Sequence, residues 1–251
     1  MAATSIDLNA DLGEGGGDDA SLMPLISSAN IACGGHTGDV DSMRTAVRLA
    51  CRHGVVIGAH PSYPGREHFG RVSMDISQMR LAEVITAQLW ALKAVCIEEG
   101  VAVAYVKPHG ALYNDAARHP GLAALIAATV REIDPDLALM GLAGSALIEA
   151  GNYQGLTTIP EAFVDRAYLA DGSLMPRDRP GAVLSDDAAA VAQARSLTLE
   201  GGVRTADGGW LALEARSLCL HGDNPHALHL ARATREMLAR NEVRVVSALL
   251  A

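Results

Sequence analysis

The stretch Ser77–Gly110, SQMRLAEVITAQLWALKAVCIEEGVAVAYVKPHG, decides the architecture. Leu81, Ile85, Leu89, Leu92 and Cys96 recur at helical spacing, Ser77 stands where an N-cap is wanted, and Gly100 closes the run. Val101–Lys107 follows as a strand-sized apolar run that breaks into Lys107-Pro-His-Gly110. One helix feeding one buried strand, with polar residues at the strand's end, is the unit from which parallel α/β folds are built.

The same unit repeats along the chain. Strands are expected at Ser5–Asp11, Ala29–Cys33, Val55–His60, Val101–Lys107, Leu137–Leu142, Leu156–Phe163 and Leu218–His221. Asp39 caps a helix through Met43, Val47 and Ala50 that Gly54 stops; Asp186–Leu199 forms another, ended by Gly201. The last helix starts at Asn224 with Pro225 in its first turn. About seven such units in 251 residues, with no linker-like stretch and no repeat of fixed period, fit one closed or nearly closed β/α barrel over residues 1–251 better than two domains. An open doubly wound sheet is the alternative. Asp171–Gly181 is the least regular part and reads as a surface loop or lid.

Composition narrows the function. Twenty Lys+Arg against 29 Asp+Glu give a net charge of −9 with no basic stripe, which argues against nucleic acid as a partner. No apolar run approaches a membrane span and no export signal opens the chain, so a cytoplasmic protein is expected. The four cysteines, Cys33, Cys51, Cys96 and Cys219, are scattered and read as small buried hydrophobes in a reducing compartment. Only two cations are lysines, Lys93 and Lys107. Lys93 reads as a solvated helix charge.

Parallel α/β proteins gather their chemistry at the carboxyl ends of the strands. Here those ends carry Asn9, Asp11 and Glu14; His36 and Asp39; His60; Lys107 and His109; Glu161, Asp165 and Arg166; and His221 and Asp223. Asp7, Asn9 and Asp11 share one face of their strand, which in a barrel is the inner face and in an edge strand a solvated one. Asp11, His60 and His109 together suit a cation or an acid/base cluster. Lys107, at an apolar strand end, would pair with Asp11 or Glu161, polarise a carbonyl, or carry a lowered pKa. Asp39 is foremost a helix cap. Arg71 and Arg166 are candidate anchors for a substrate carboxylate, with surface salt bridges as the alternative. Gly13–Asp19 is too acidic to cradle phosphate, and no nucleotide-binding motif occurs elsewhere.

These strand-end motifs have a known likeness. Asp7-Leu-Asn-Ala-Asp-Leu-Gly-Glu14, Ala29-Asn-Ile-Ala-Cys-Gly-Gly-His-Thr-Gly-Asp39, Gly58-Ala-His-Pro61, Phe69-Gly-Arg71, Val106-Lys-Pro-His-Gly-Ala-Leu-Tyr-Asn114, Asp165-Arg166 and His221-Gly-Asp-Asn-Pro225 resemble, in order and over nearly the whole chain, the LamB/YcsF family. Gly35, Thr37 and Val164 depart from that family's usual pattern. The resemblance implies a seven-stranded barrel like that of the glycoside hydrolase/deacetylase superfamily. It also implies ATP-dependent opening of the lactam of 5-oxoproline to glutamate, with this chain as the A component of a 5-oxoprolinase that also needs 5-oxoprolinase subunits B and C. ATP would then be used by the assembled enzyme rather than bound by a motif of this chain.

Amide chemistry assigns expected roles. Asp11 is base or metal ligand, His60 and His109 complete an acid/base cluster or a divalent-metal site, and Lys107 stabilises an oxyanion. Glu14, His36 and Asp165 orient the cluster, while Asn9, Arg71, Arg166 and His221 bind substrate. A stand-alone metal-dependent amidase or carbohydrate deacetylase is the first rival, and a non-catalytic protein holding a small acid or amide the second.

Overall fold

Seven parallel strands close on themselves in the computed structural model, which describes residues 5–15, 18–220 and 227–251. They are β1 (Ser5–Leu12), β2 (Ser28–Ala32), β3 (Val56–His60), β4 (Tyr105–Val106), β5 (Ala138–Leu142), β6 (Thr158–Phe163) and, after an outlying antiparallel hairpin of β7 (Gly202–Arg204) and β8 (Trp210–Ala212), β9 (Ser217–Leu220). Each pairs with the next, and β9 returns to β1 with Leu220 opposite Ala10. A short β10 (Arg244–Val245) adds to the start of β1. The closed barrel is therefore the arrangement adopted, not the open sheet.

The expected strands are present, the fourth much shortened. Bonding continues past its ends, from Ala104 N–H to the Ile57 carbonyl (2.8 Å) and from Lys107 N–H to Ala59 (2.9 Å), before Pro108, which has no N–H to offer. Helix Val40–His53 starts at an Asp39–Ser42 capping box and stops at left-handed Gly54; helix Gln78–Glu98 takes its cap from Ser77. Asp187–Arg195 continues as a π-turn, Ser196–Glu200, before Gly201. Three further helices follow: Gly110–Arg118 and Ala146–Tyr153 pack on the strands beside them, and Pro120–Ile133 packs on the neighbouring helices. The expected helix start at Asn224 and Pro225 lies outside the described residues, as do His221 and Asp223; the helix is described from Ala227 to Arg240.

Two sequence expectations are corrected by packing. Cys51 is exposed, because it falls on the outer face of its helix. Lys93 is not a free solvated charge: its ammonium bonds Asp134 at 2.6 Å and lies 5.5 Å from the centre of the Trp90 ring. No helix among the described residues is long and apolar enough to cross a membrane.

Alternation decides what the barrel encloses. Leu8, Ala10 and Leu12 of β1 join the main apolar core. The intervening Asp7, Asn9 and Asp11 bond inward across the barrel to Ser28, Asn30, Glu161, Lys107 and Ser217. Asp7 is almost wholly buried, which pushes its pKa up although the hydroxyls of Ser217, Ser27 and Ser28 all donate to it. Beside this polar column lies a small apolar cluster of Tyr105, Ala138, Met140, Ile159 and Ala248. Tyr105 fits there because Gly58 on the adjoining strand has no side chain; a Cβ at Gly58 would run into the Tyr105 ring. Its hydroxyl then donates to Asn30 Oδ1 at 2.6 Å. Gly58→Ala is expected to lower unfolding free energy by about 1–3 kcal/mol, the usual cost of overpacking. A urea midpoint equal to that of the parent would contradict this account of the interior.

Candidate active site

Lys107 is the centre from which the site is built. It leaves β4 pointing into the barrel, 2% exposed, with its ammonium 2.8 Å from Glu161 Oε1 and 3.1 Å from Asp11 Oδ1. It also donates to Asn9 Oδ1 at 3.2 Å and sits 3.2 Å from Cys219 Sγ. Burial alone would push its pKa down, but the groups that face it, Asp11 foremost, reverse that and hold it well above the ordinary lysine value. The expected ion pair is thus formed with both carboxylates, and its effect on the lysine pKa runs upward, not down. Glu161, fully buried, is completed by Tyr113, whose hydroxyl donates to Oε2 at 2.7 Å, and by Asn9 Nδ2 at 2.7 Å.

Next to Lys107 stand two imidazoles whose tautomers are dictated by backbone. His60 Nδ1 lies 2.8 Å from the carbonyl oxygen of Lys107, and His109 Nε2 lies 3.0 Å from that of Phe69. A carbonyl only accepts, so each of these nitrogens carries the proton and the other nitrogen of each ring presents a lone pair. Those two lone-pair nitrogens face one another at 3.0 Å. Asp11 Oδ2 approaches the His60 nitrogen at 3.4 Å and Glu14 Oε1 the His109 nitrogen at 3.5 Å. Four acceptors converging in this way call for a cation among them, either a shared proton or a metal ion. The donor set fits a metal: a tetrahedral ion with bonds of about 2.0–2.2 Å sets its ligands about 3.3–3.6 Å apart, and here all four donor atoms lie within 4.8 Å of one another.

His36 supports this cluster without joining it. Its ring stacks on that of His109 at 3.7 Å and 2°, and its Nε2 holds Glu14 Oε1 at 3.0 Å. Burial lowers the pKa of both rings, for His36 against the pull of Glu14 and for His109 together with the neighbouring histidines. The backbone before it is tight. A Cβ at Gly35 would strike Gln88 Oε1 and Ser62 Oγ; the Gln88 amide occupies that space, accepting from Ser62 N–H and donating to Ser62 carbonyl.

The cluster opens into a cavity of about 420 Å³. Asp11, Glu14, His60, Lys107 and His109 line it, as do four arginines, Arg71, Arg118, Arg166 and Arg177. The irregular Asp171–Gly181 segment supplies one wall through residues 173–178. Other expected residues are placed differently. Asn9 is fully buried, with its amide engaged by Glu161, Ser217, Asn30 and Lys107, and it does not reach the cavity wall. Asp165 is buried away from that wall. Arg166 lines the cavity but is a strut: its guanidinium donates to the carbonyls of Met175 (2.7 Å) and Ala182 (3.2 Å), tying down the segment. Burial, with Arg177 nearby, lowers its pKa to about 10. His221 lies outside the described residues. Sequence reasoning missed Asn30 and Tyr113 as partners of the ionic centre, and Arg118 and Arg177 as cavity cations. A polar residue inside an apolar strand was the signal for Asn30; Tyr113 lay in the quoted VKPHGALYN stretch, and the arginines left no signal.

Two rings held neutral make stability depend on pH. Their folded pKa values lie below the unfolded value of about 6.5, so the unfolded chain binds more protons as pH falls through that value. The contribution is complete above about pH 6.5 and declines toward the folded pKa values. The thermal midpoint is expected to fall between pH 7.5 and 5.5, and to fall less in His36→Ala; a flat profile would contradict the neutral assignment.

Comparison with known proteins places this geometry. The LamB/YcsF family model matches residues 6–250. A Histophilus somni protein, named as the A component of 5-oxoprolinase, is 50% identical over 244 residues, covering 97% of this chain and 99% of its own. A Neisseria meningitidis protein of the same name is 48% identical over 240 residues, covering 96% and 98%. The crystal structure of a lactam utilization protein from Thermus thermophilus superposes with a TM-score of 0.90 at 42% identity, over 96% of this chain and 99% of that one. With the match running from β1 to the last residues, this chain belongs to the LamB/YcsF family.

Proposed function

We propose that the chain is the A component of an ATP-dependent 5-oxoprolinase, opening the lactam of 5-oxoproline to L-glutamate together with subunits B and C. The observation that carries the reading is the meeting, in one cavity, of a buried lysine ion-paired to two carboxylates and a cluster of converging imidazole and carboxylate acceptors. Near-full-length relatives bearing the name support it. ATP is used by the assembly, with activation of the lactam carbonyl assigned to the partners, in keeping with the lack of a nucleotide motif in this sequence. Four free cysteines suit a cytoplasmic setting.

Opening an unstrained amide needs a base for water, charge stabilisation at the carbonyl oxygen and a proton for the leaving nitrogen. Lys107, whose charge Asp11 and Glu161 favour, serves the developing oxyanion. The His60–His109 pair, backed by Asp11 and Glu14, takes a proton from water at its lone-pair nitrogens and returns it to the leaving nitrogen. Tyr113 and Glu161 keep Lys107 from swinging away. Arg71 and Arg177 hold the substrate carboxylate, Arg166 being occupied by backbone. Asp11, Glu14, His60 and His109 would also hold a divalent cation, which when bound supplies Lewis acidity toward a water molecule.

That donor set favours one second reading, a metal-dependent amidase or deacetylase that needs neither ATP nor partners. Glutamate formation from 5-oxoproline separates the two. It is expected only with ATP and all three components, and Asp11→Asn or His109→Ala should reduce its kcat by at least about 10²-fold with the thermal midpoint retained. Normal turnover in both variants would sink the site. Chelator-sensitive amide hydrolysis by this chain alone would establish the second reading.

A further inference from the structure

Phe69 stands out because its backbone is left-handed (φ 51°, ψ 36°), one of only two non-glycine residues with positive φ among those described. A Cβ makes that conformation costly, so the surroundings must impose it. They do so on every side. The Phe69 ring meets His36 and His109 edge-on at 5.2 and 5.4 Å and lies 5.0 Å from the Arg71 guanidinium. Gly70, the next residue, passes so close to the imidazoles that an added Cβ would lie 2.9 Å from His36 Cβ and 3.1 Å from His109 Cδ2. Its carbonyl is held by Ala111 N–H at 2.9 Å.

The left-handed turn has one visible product. It aims the Phe69 carbonyl at His109 Nε2, 3.0 Å away. We propose that Phe69 is a positioning residue: its strained backbone, clamped by its own ring, fixes His109 as the Nε2–H tautomer so that Nδ1 presents its lone pair on the same face as the acceptors of His60, Glu14 and Asp11. If the turn relaxed to an ordinary backbone, the carbonyl would swing away and the His109 proton could settle on Nδ1, where it would block the converging face. His60 needs no such device, since its partner carbonyl belongs to Lys107, whose own N–H bonds Ala59 on the adjoining strand.

Substitutions at this position separate carbonyl placement from ring packing. Asn lacks the ring yet adopts left-handed backbone readily, whereas Ala lacks the ring and resists it. In the complete three-component assembly with ATP, Phe69→Ala is expected to lose about tenfold or more in kcat with KM changed less than about twofold, while Phe69→Asn stays within about threefold of the parent. In the chelator-treated protein, the 15N resonances of the His109 ring, identified by their loss in His109→Ala, should report a proton held on Nε2 in the parent and in Phe69→Asn, with Nδ1 either bare or sharing a proton with His60. A mixture is expected in Phe69→Ala. A tenfold loss in Phe69→Asn, or an unmixed tautomer in Phe69→Ala, overturns the proposal, and the Asn arm decides even where the Ala variant does not fold. The inference rests on the reading of His109 as part of the reacting cluster. The resonance measurement needs no turnover, and full activity in His109→Ala would overturn that reading instead.

Discussion

A single buried ammonium lets this barrel be polar inside. Without Lys107, Asp11 and Glu161 would be two carboxylates sharing a low-dielectric interior, an arrangement that costs several kcal/mol per unpaired charge. With it, they and Asn9 share one cation, and the remaining acceptor of Glu161 is filled by Tyr113. The interior then tolerates what an ordinary barrel core excludes, and the excess of acceptors accumulates at the open end, where chemistry is wanted. Stability and reactivity are thus drawn from the same few atoms. Pairs of this kind contribute little net stability compared with apolar packing, so their retention is better explained by what they hold in place.

The backbone does much of that holding. Two carbonyls, one from Lys107 and one from Phe69, settle the protonation pattern of His60 and His109 before any ligand arrives. One comes from the barrel and the other from a loop, so the reacting face is assembled from a stiff half and a half that depends on local turns. Glycine is needed where that loop closes: Gly110 has φ 59°, and a Cβ there would meet the Gly70 carbonyl. Preorganisation of this sort is inexpensive to run and costly to build.

How much of this was legible in the sequence follows from how each feature is encoded. The barrel was readable because strand and helix periodicities alternate and caps such as Asp39 and Ser77 are local. Lys107 stood out because lysine is scarce, and His60 and His109 because they interrupt apolar runs at strand ends. Partnerships across the barrel were harder. Whether Asn9 faces substrate or is consumed by four neighbours depends on register between strands far apart in sequence. Arg166 looked like a substrate anchor, but its partners are carbonyls of a loop with no periodic signal. Cys51 was misread because a helix of mixed faces leaves the burial of one small residue undetermined. The left-handed turn at Phe69 was invisible, since sequence does not advertise strain carried by a residue that disfavours it.

The cavity wall has a consequence for traffic. Five of the chain's 20 Lys+Arg residues, Arg71, Lys107, Arg118, Arg166 and Arg177, border it, against four acids, Asp11, Glu14, Asp115 and Asp178. The molecule as a whole carries −9. A small anion in solution therefore meets repulsion over the bulk of the surface and, at one opening, a wall where arginines offset the carboxylates. Such a field narrows the routes of approach and raises the capture rate at low ionic strength, while added salt flattens it within a Debye length of about 8–10 Å. The acidity of the chain thus helps to select the direction from which a negatively charged substrate arrives.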